Sequence, residues 1–192
     1  MAAEARRKAQ AADPDGHAAG AVRAHFLAHI KLAPHAVIGG YWPIGTELDV
    51  RPLMIALHQR GHVCALPVVH RRQPLVFHRW QPDDKLVRGV FDIRVPDHHT
   101  PVVDPDVLLV PLLAFDARGM RIGYGGGYMD RTIPAIRSRK PLLTVGIAYA
   151  AQEVTRVPTD RYDQRLDWIV TESAARLMER RRLFWLRRFF AS

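Results

Sequence analysis

Apolar residues at helical spacing predict several helices along the chain. Between residues 13 and 31 the residues with this spacing are Ala19, Val22, Phe26, Leu27 and Ile30. Asp13 followed by Pro14 is typical of an N-cap and a first helical residue, and Pro34 is expected to end this helix. Other helices are predicted at residues 1–12, at 50–60, from near residue 127 to about 139, and from about 173 to the end of the chain.

Short apolar runs between these helices predict strands. The runs lie at residues 35–42, 63–69, 75–80, 107–115, 142–148 and 167–170. A short polar link between the second and third runs indicates a hairpin. Residues 81–105 are rich in proline and aspartate, and they are expected to form a long irregular connection of the kind that often carries function.

The alternation of helices with buried strands predicts the α/β class. We expect a three-layer α/β/α arrangement, in which helices cover both faces of a mostly parallel, Rossmann-like open sheet. Ligands of such folds bind beyond the carboxyl ends of the strands. The segments at 41–47 and 121–131 each follow a predicted strand, so both are expected at that edge.

Composition predicts one domain that spans residues 1–192. Its 48% hydrophobic and 24% charged content is ordinary for a globular protein. The lone cysteine, Cys64, lies in an apolar run and excludes an internal disulfide, which favours a buried thiol in a reducing cytoplasm. No signal peptide is evident, and no apolar run approaches the ~18 residues of a membrane span.

A net charge of +9 raises the question of nucleic-acid binding. Six arginines, however, fall in a basic aromatic tail at residues 176–192, and the remaining excess is modest. An anionic small substrate or a solvated surface accounts for that excess, so neither nucleic-acid binding nor stable membrane association is expected. The tail itself could lie on an anionic membrane, dock on a partner or pack against the sheet.

The densest signal for chemistry is a glycine loop at residues 121–131. Its sequence is Arg-Ile-Gly-Tyr-Gly-Gly-Gly-Tyr-Met-Asp-Arg. Glycines allow backbone N–H groups to form a nest for anions, and a helix that starts near Gly127 adds its N-terminal dipole. Arg121 and Arg131 flank this nest, and Asp130 could reach phosphates through a bridging Mg²⁺. The spacing matches neither common phosphate fingerprint, so a flexible connection that binds nothing is the alternative.

Several motifs together resemble the 5-formyltetrahydrofolate cyclo-ligase (methenyltetrahydrofolate synthetase) family. The glycine loop resembles its nucleotide loop, and Tyr-Trp-Pro-Ile-Gly-Thr-Glu-Leu-Asp at 41–49 resembles its substrate segment. The other matching segments are at residues 77–80, 89–96, 111–116, 146–152, 157–158, 163 and 167–172. The resemblance covers about residues 35–172.

The resemblance implies a ligase of one-carbon metabolism that converts 5-formyltetrahydrofolate to 5,10-methenyltetrahydrofolate. ATP would be hydrolysed to ADP and phosphate through a phosphorylated formyl group, with Mg²⁺ bound. The substrate would be a reduced folate with either a single glutamate or a polyglutamate tail, and the enzyme is expected to be a cytoplasmic monomer. Phosphoryl transfer of this kind needs positioning and charge stabilisation more than a nucleophilic side chain.

The resemblance also implies the site residues. ATP phosphates would be held by Arg121, Ile122, Gly123, Tyr124, Gly125, Gly126, Gly127, Tyr128 and Met129. Within this loop Arg121, Tyr124, Gly126 and Tyr128 would be catalytic, and residues 124–128 would also face the folate. The folate would contact Glu47, Trp42, Tyr41 and Phe91, and Mg²⁺ would be bound by Asp130 and Asp163.

The sequence departs from the family pattern at several positions. Met129 stands where a second tyrosine is usual, Gly126 stands where some members carry lysine, and Asp92 and Val95 replace a glycine and a glutamate. The family commonly begins with a basic helix that touches the nucleotide. Either the residues Arg6, Arg7 and Lys8 take that role, or the sequence begins inside that helix.

Simpler roles remain open for several of these residues, and two other functions remain open for the chain. Glu47 could stabilise a helix dipole, Trp42 could be core, and Asp163 could cap a turn. Adjacent His98 and His99 are expected in a solvated loop rather than at a metal. The chain could also be a Rossmann-like nucleotide or sugar-phosphate enzyme of other chemistry, or a non-catalytic basic adaptor that acts through its tail.

Overall fold

A computed structural model describes residues 2–178, and the basic tail beyond Met178 lies outside the described residues. The helices are α1 Ala2–Ala11, α2 His17–His29, α3 Arg51–Gln59 and α4 Tyr128–Arg137. The first strands are β1 Val37–Gly39, β2 Val63–Val68, β3 Val76–Trp80, β4 Val87–Arg88 and β5 Arg94–Val95. They are followed by β6 Val107–Pro111, β7 Ala114–Phe115, β8 Arg121–Ile122, β9 Leu143–Ile147, β10 Trp168–Val170 and β11 Ala175–Leu177.

Seven of these strands form the central sheet, in the order β11-β10-β9-β6-β1-β2-β3. Every pair from β10 to β2 is parallel. The edge strands β3 and β11 are antiparallel to their neighbours. The remaining strands pair as two small ribbons, β4 with β5 and β7 with β8. The predicted mostly parallel open sheet, with a hairpin formed by β2 and β3, is confirmed.

Strand β6 shows how the sheet separates two helical layers. Val107 and Leu109 belong to the apolar cluster that contains Phe26 of α2 and Leu53 of α3. Leu108 and Val110, which point to the opposite face, belong to the cluster that contains Ile133 of α4. A strand buried on both faces has no room for polar alternation, which is why this run reads as continuously apolar. The three-layer α/β/α prediction is therefore confirmed.

The predicted helix from residue 173 is wrong for the described residues. Residues 175–177 instead form β11, in which Leu177 pairs with Trp168 of β10. A tight turn precedes the strand, because the Thr171 hydroxyl accepts hydrogen bonds from the backbone N–H groups of Ser173 and Ala174. The free edge of β10 then supplies partners for the returning backbone, and these outweigh the helical pattern of the side chains.

The single strand predicted at residues 107–115 is divided into two. β6 ends at Pro111, and the chain continues into β7, which pairs with β8. Pro111 has no N–H group to extend the ladder. The Gln152 side-chain amide donates to the carbonyls of Leu112 at 2.7 Å and Leu113 at 3.1 Å, and so satisfies the backbone where it leaves the sheet. This break points the next residues toward the glycine loop.

Helix α2 begins later than predicted. It starts at His17 rather than at Pro14, after Gly16. The N-cap residue is therefore Gly16 and not Asp13, but the Asp13 carboxylate still accepts hydrogen bonds from the N–H groups of His17 at 2.7 Å and Ala18 at 3.0 Å. Among residues 2–178, no helix has both the length and the apolar character needed to cross a lipid bilayer.

Candidate functional site

The glycine loop connects β8 to the first residue of α4. Gly125 and Gly127 have φ angles of 84° and 63°, which belong to the left-handed region that glycine adopts without strain. A Cβ added at Gly123 or Gly125 would meet no heavy atom within 4 Å. The loop backbone is therefore open on one side, directly in front of the N-terminus of α4. This is the geometry of an anion site built from main-chain N–H groups.

Arg131 braces the loop from its helical end. Its guanidinium donates to the carbonyl of Gly126 at 2.7 Å and lies 5.0 Å from the ring centroid of Tyr128. The Nε of Arg131 is buried and has no hydrogen-bond partner among the described residues. An unpaired buried donor of a cationic group is costly, so its presence here is consistent with a ligand that would approach the loop.

A buried carboxylate anchors the hairpin that leads into the loop. Asp116 is fully buried, and it accepts backbone hydrogen bonds from Arg118 and Val157, each at 2.9 Å, and from Met120 at 3.3 Å. The Arg118 guanidinium adds two further contacts at 3.0 and 2.6 Å. Burial raises the pKa of Asp116, but these hydrogen bonds outweigh it and hold the pKa below its ordinary value.

Arg121 and Asp130 form an ion pair across the base of the loop. An Arg121 NH2 group lies 2.8 Å from Oδ1 of Asp130, and the same guanidinium donates to the carbonyl of Gln164. The backbone N–H of Gln164 donates to Oδ1 of Asp130 at 3.0 Å. The other oxygen of Asp130 has no hydrogen-bond partner among the described residues. The structure thus ties residue 130 to the segment that contains Asp163, whose own carboxylate accepts from the N–H of Asp160 at 2.7 Å.

The segment 41–49 follows β1 at the same sheet edge, as expected. Glu47 is buried, with 8% of its surface exposed, and it accepts a hydrogen bond from the N–H of Ile44 at 2.8 Å. Burial raises the pKa of Glu47, while the bonds from Ile44 and Tyr124 and the charge of Arg6 oppose the rise. Glu47 and the glycine loop are therefore in electrostatic contact, although 77 positions of the sequence separate Glu47 from Tyr124.

The aromatic residues of this segment have different surroundings. Tyr41 is buried in the core, and its hydroxyl donates to the carbonyl of Leu48 at 2.8 Å. Trp42 is half-buried, and the guanidinium of Arg51 lies 5.1 Å from its ring centroid. Phe91 belongs to a 3-10 turn at Val90–Asp92, and its side chain lies outside the described part of the structure. Of these residues, Trp42 offers a partly exposed aromatic face.

Arg6 joins helix α1 to both segments. Its Nε donates to the Thr46 hydroxyl at 3.0 Å, and its guanidinium donates to the Tyr124 hydroxyl and lies 5.2 Å from that ring centroid. The other two basic residues of the predicted set are exposed, and Lys8 pairs with Glu4 at 3.1 Å. The structure therefore brings Arg6 into the site and leaves Arg7 and Lys8 on the surface.

The only group of three potential metal ligands found among residues 2–178 lies elsewhere. Asp97, His98 and His99 have ligand atoms within 4.8 Å of one another, and both histidines are exposed. The centroids of the two imidazole rings are 3.8 Å apart, and the ring planes are tilted by 42°. These residues are consecutive on one loop, and no side chain from another element completes a coordination shell there.

The family model of 5-formyltetrahydrofolate cyclo-ligases matches residues 3–172 of this chain. The chain belongs to this family. A 5-formyltetrahydrofolate cyclo-ligase of Haemophilus influenzae is 32% identical over 148 residues, which are 74% of this chain and 79% of the relative. Its Escherichia coli counterpart is 37% identical over 133 residues, which are 66% and 72% of the two chains.

Two solved structures share the fold of this chain. The 5,10-methenyltetrahydrofolate synthetase of Aquifex aeolicus superposes with a TM-score of 0.73 at 27% identity and covers 96% of each chain. A synthetase from Mycoplasma pneumoniae, at 22% identity and a TM-score of 0.68, shares the fold over 89% of this chain and 96% of its own. The prediction of an enzyme of the 5-formyltetrahydrofolate cyclo-ligase family is confirmed.

Three residues of this cyclo-ligase site were not singled out from the sequence. Thr46 and Gln164 contact Arg6 and Arg121 respectively, and Asp116 organises the hairpin before the loop. Thr46 and Asp116 lie inside motifs that carried the family resemblance, so proximity to Glu47 and to the loop was a usable signal. Gln164 acts through its backbone, and a side-chain pattern carries no signal for that role.

Proposed function

We propose that this chain converts 5-formyltetrahydrofolate to 5,10-methenyltetrahydrofolate with hydrolysis of ATP to ADP and phosphate. The observation that carries the proposal is that Arg6 contacts both Thr46, the neighbour of the buried acid Glu47, and Tyr124 of the open glycine cradle. A cradle for phosphate and an acceptor for a ring N–H are then adjacent. Family membership supports this assignment over a Rossmann-like enzyme of other chemistry or a basic adaptor.

In the proposed reaction, phosphorylation converts the formyl oxygen from a poor leaving group into a good one. The formyl oxygen attacks the γ-phosphorus of ATP, the bond from that phosphorus to the bridging oxygen breaks, and ADP leaves. N10 of the folate then attacks the formyl carbon and loses its proton, and the phosphorylated oxygen departs as inorganic phosphate. The protein needs to align the reactants and stabilise negative charge, which fixed N–H groups and guanidinium groups can do.

We assign the ATP phosphates to the loop from Arg121 to Met129. The N–H groups of the glycines and of the first turn of α4 would bind the phosphates on the open side, where the helix dipole favours negative charge. Arg131 adds a formal positive charge beside the same turn. Among the N-terminal basic residues only Arg6 contacts the described loop, through the Tyr124 hydroxyl, so we propose that it supports the nucleotide site by positioning Tyr124 and not by binding phosphate.

We propose a magnesium ion next to those phosphates. Magnesium binds proteins through one or two carboxylates and completes its shell with water and phosphate oxygens. Asp130 retains an oxygen without a hydrogen-bond partner among the described residues, and Asp163 lies next to Gln164, to which Asp130 is bonded. We propose these two carboxylates as the ligands. Bound magnesium would neutralise charge that develops on the phosphate oxygens.

The folate would lie between the 41–49 segment and the loop. Glu47 would accept hydrogen bonds from ring N–H groups, and a buried carboxylate is a strong acceptor for them. Trp42, with Tyr41 and Phe91, would provide the apolar wall, and Tyr124 to Tyr128 would face the formyl group. The glutamate tail, with one or more residues, would extend toward a surface that is basic overall. We propose a cytoplasmic, monomeric enzyme that forms one domain.

A spectroscopic assay tests this proposal. The protein is mixed with 5-formyltetrahydrofolate, ATP and Mg²⁺, and the absorbance of methenyltetrahydrofolate is followed while ADP is quantified. Stoichiometric formation of both products is expected, and omission of ATP should abolish both. Product formation without ATP, or ATP hydrolysis without product, would contradict the proposal. An Asp130→Ala variant should lose turnover while its circular dichroism spectrum is retained.

A further inference from the structure

Arg6 is a buried cation that lies where three separate elements meet. Only 7% of its surface is exposed, although the adjacent Arg7 is exposed on the same helix. Arg6 belongs to α1, whereas its partners are Thr46 from the segment after β1 and Tyr124 from the glycine loop. Removal of a guanidinium from water is unfavourable unless its donors are paired and an opposite charge is near. The position is therefore held by specific contacts.

The opposite charge is provided by Glu47. The positive charge of Arg6 lowers the pKa of this buried carboxyl, against the larger effect of its desolvation. Tyr124 interacts with both groups, since Arg6 and Glu47 each shift the pKa of its hydroxyl. Arg6, Glu47 and Tyr124 thus form one electrostatic unit that contains a residue from each of three elements. The geometric link is the guanidinium of Arg6, which donates to Tyr124 and to Thr46, the residue next to Glu47.

We propose that Arg6 is a positioning residue that couples the two substrate sites, so that bound folate strengthens nucleotide binding and bound nucleotide strengthens folate binding. The inference rests on the proposed function, because it takes segment 41–49 as the folate site and residues 121–129 as the nucleotide site. Glycine-rich backbone loses much conformational freedom when it is ordered. If folate fixes Glu47 and Thr46, Arg6 fixes Tyr124, and part of the loop is ordered before the nucleotide arrives. Because the two binding free energies are linked, bound folate strengthens nucleotide binding by the same factor as bound nucleotide strengthens folate binding.

Isothermal titration calorimetry measures this coupling directly. A non-hydrolysable ATP analogue with Mg²⁺ is titrated into the protein with and without saturating 5-formyltetrahydrofolate. In the wild type we expect folate to tighten nucleotide binding at least about fivefold. In Arg6→Ala the tightening should fall below about twofold, while affinity for the analogue alone changes less than about threefold, a change smaller than the coupling itself. Arg23→Ala, which removes the same charge from an exposed position on α2, should retain the wild-type coupling.

Further variants distinguish a loss of coupling from a loss of positive charge and from a failure to fold. Arg6→Lys keeps the charge, but a compact ammonium cannot bridge Thr46 and Tyr124 in the same way, so it should lose coupling as Arg6→Ala does. If Arg6→Ala fails to fold by circular dichroism, Thr46→Val and Tyr124→Phe remove its two partners singly, and each should reduce the coupling. Full coupling in Arg6→Lys and in both partner variants would overturn the proposal.

Two further outcomes would also overturn the coupling role. One is a wild type in which folate leaves nucleotide affinity unchanged. The other is an Arg6→Ala variant that binds the analogue alone at least about tenfold more weakly but retains coupling, because that pattern belongs to a direct phosphate ligand. Failure of the proposed function is seen separately, as a wild type that binds both ligands but forms no methenyltetrahydrofolate.

Discussion

The replacement Asp116→Asn tests whether one buried carboxylate holds the hairpin that presents the glycine loop. Donors surround both of its oxygens, because Oδ1 faces the N–H groups of Arg118 and Met120, while Oδ2 faces the N–H of Val157 and the Arg118 guanidinium. An asparagine has the same shape, but in either orientation of its side-chain amide the NH₂ group faces one of these two sets of hydrogen-bond donors. Hydrogen bonds to a charged group contribute about 1.5–3 kcal/mol each, but neighbouring bonds are not additive.

We therefore expect Asp116→Asn to lower the free energy of unfolding by about 3 kcal/mol at neutral pH, which is the scale of breaking a buried charge pair. For a chain of this length that change lowers the melting temperature by roughly 6–12 °C. Urea unfolding followed by circular dichroism gives the free energy. Asp104→Asn is the matched control, because Asp104 makes the same two-contact pair with Arg139 at the exposed surface. The control should cost less than about 1 kcal/mol.

The pH dependence of the difference provides a second check. The folded pKa of Asp116 is lowered from its ordinary value of 3.8, so its contribution is fully present above that value and is lost as pH falls through the folded pKa. The stabilities of wild type and Asp116→Asn should differ by a constant amount near neutral pH and converge in acid. Equal costs for the Asp116 and Asp104 variants, or a gap that widens in acid, would refute the reasoning.

Three further outcomes follow from the loop, the acid and the thiol. Gly125→Ala and Gly16→Ala should each lower stability by about 1–2 kcal/mol, because both glycines have a positive φ and open surroundings. Only the Gly125 variant should lose turnover. Glu47→Gln should raise the KM for 5-formyltetrahydrofolate at least about tenfold and leave the KM for ATP nearly unchanged; equal effects on both would contradict its assignment. Burial raises the pKa of Cys64 to about 12, so a thiol reagent at pH 8 should label it only after unfolding.

The fold was largely predictable because its signals are local. The runs that became β2, β6 and β9 are apolar on both faces, and few structures other than a covered parallel sheet bury such strands. Gly61, just after the end of α3 at Gln59, has a φ of 86°, the left-handed conformation in which glycine commonly ends helices. The helix predicted from residue 173 failed because β10, the strand directly before it in sequence, has an edge free to pair with the returning chain. Which strand lies at an edge depends on how the whole sheet is assembled, and a local side-chain pattern does not show it.

The candidate site likewise has one part with local sequence signals and another part that depends on contacts distant in sequence. The loop could be predicted as a candidate anion site because its glycines, the following helix and Arg131 all lie within one short segment. The Arg6 cluster could not, because its contact with Tyr124 spans 118 positions and its contact with Thr46 spans 40. A basic residue in an N-terminal helix has many possible surroundings, and only the packing of α1 over the sheet edge selects one of them.

Resemblance to a family indicated which reaction to expect, but it did not indicate which of the basic residues lies in the site. It supplied Glu47 and the loop as members of one site, yet it gave Arg6, Arg7 and Lys8 equal standing, and only the fold distinguishes the buried one from the two on the surface. Burial is the physical quantity that separates them, because a paired cation in a low-dielectric setting acts strongly on its neighbours, whereas solvent screens an exposed one. Arg6, which donates to Tyr124 and to Thr46 beside Glu47, is therefore the basic residue that we propose to couple the two substrate sites.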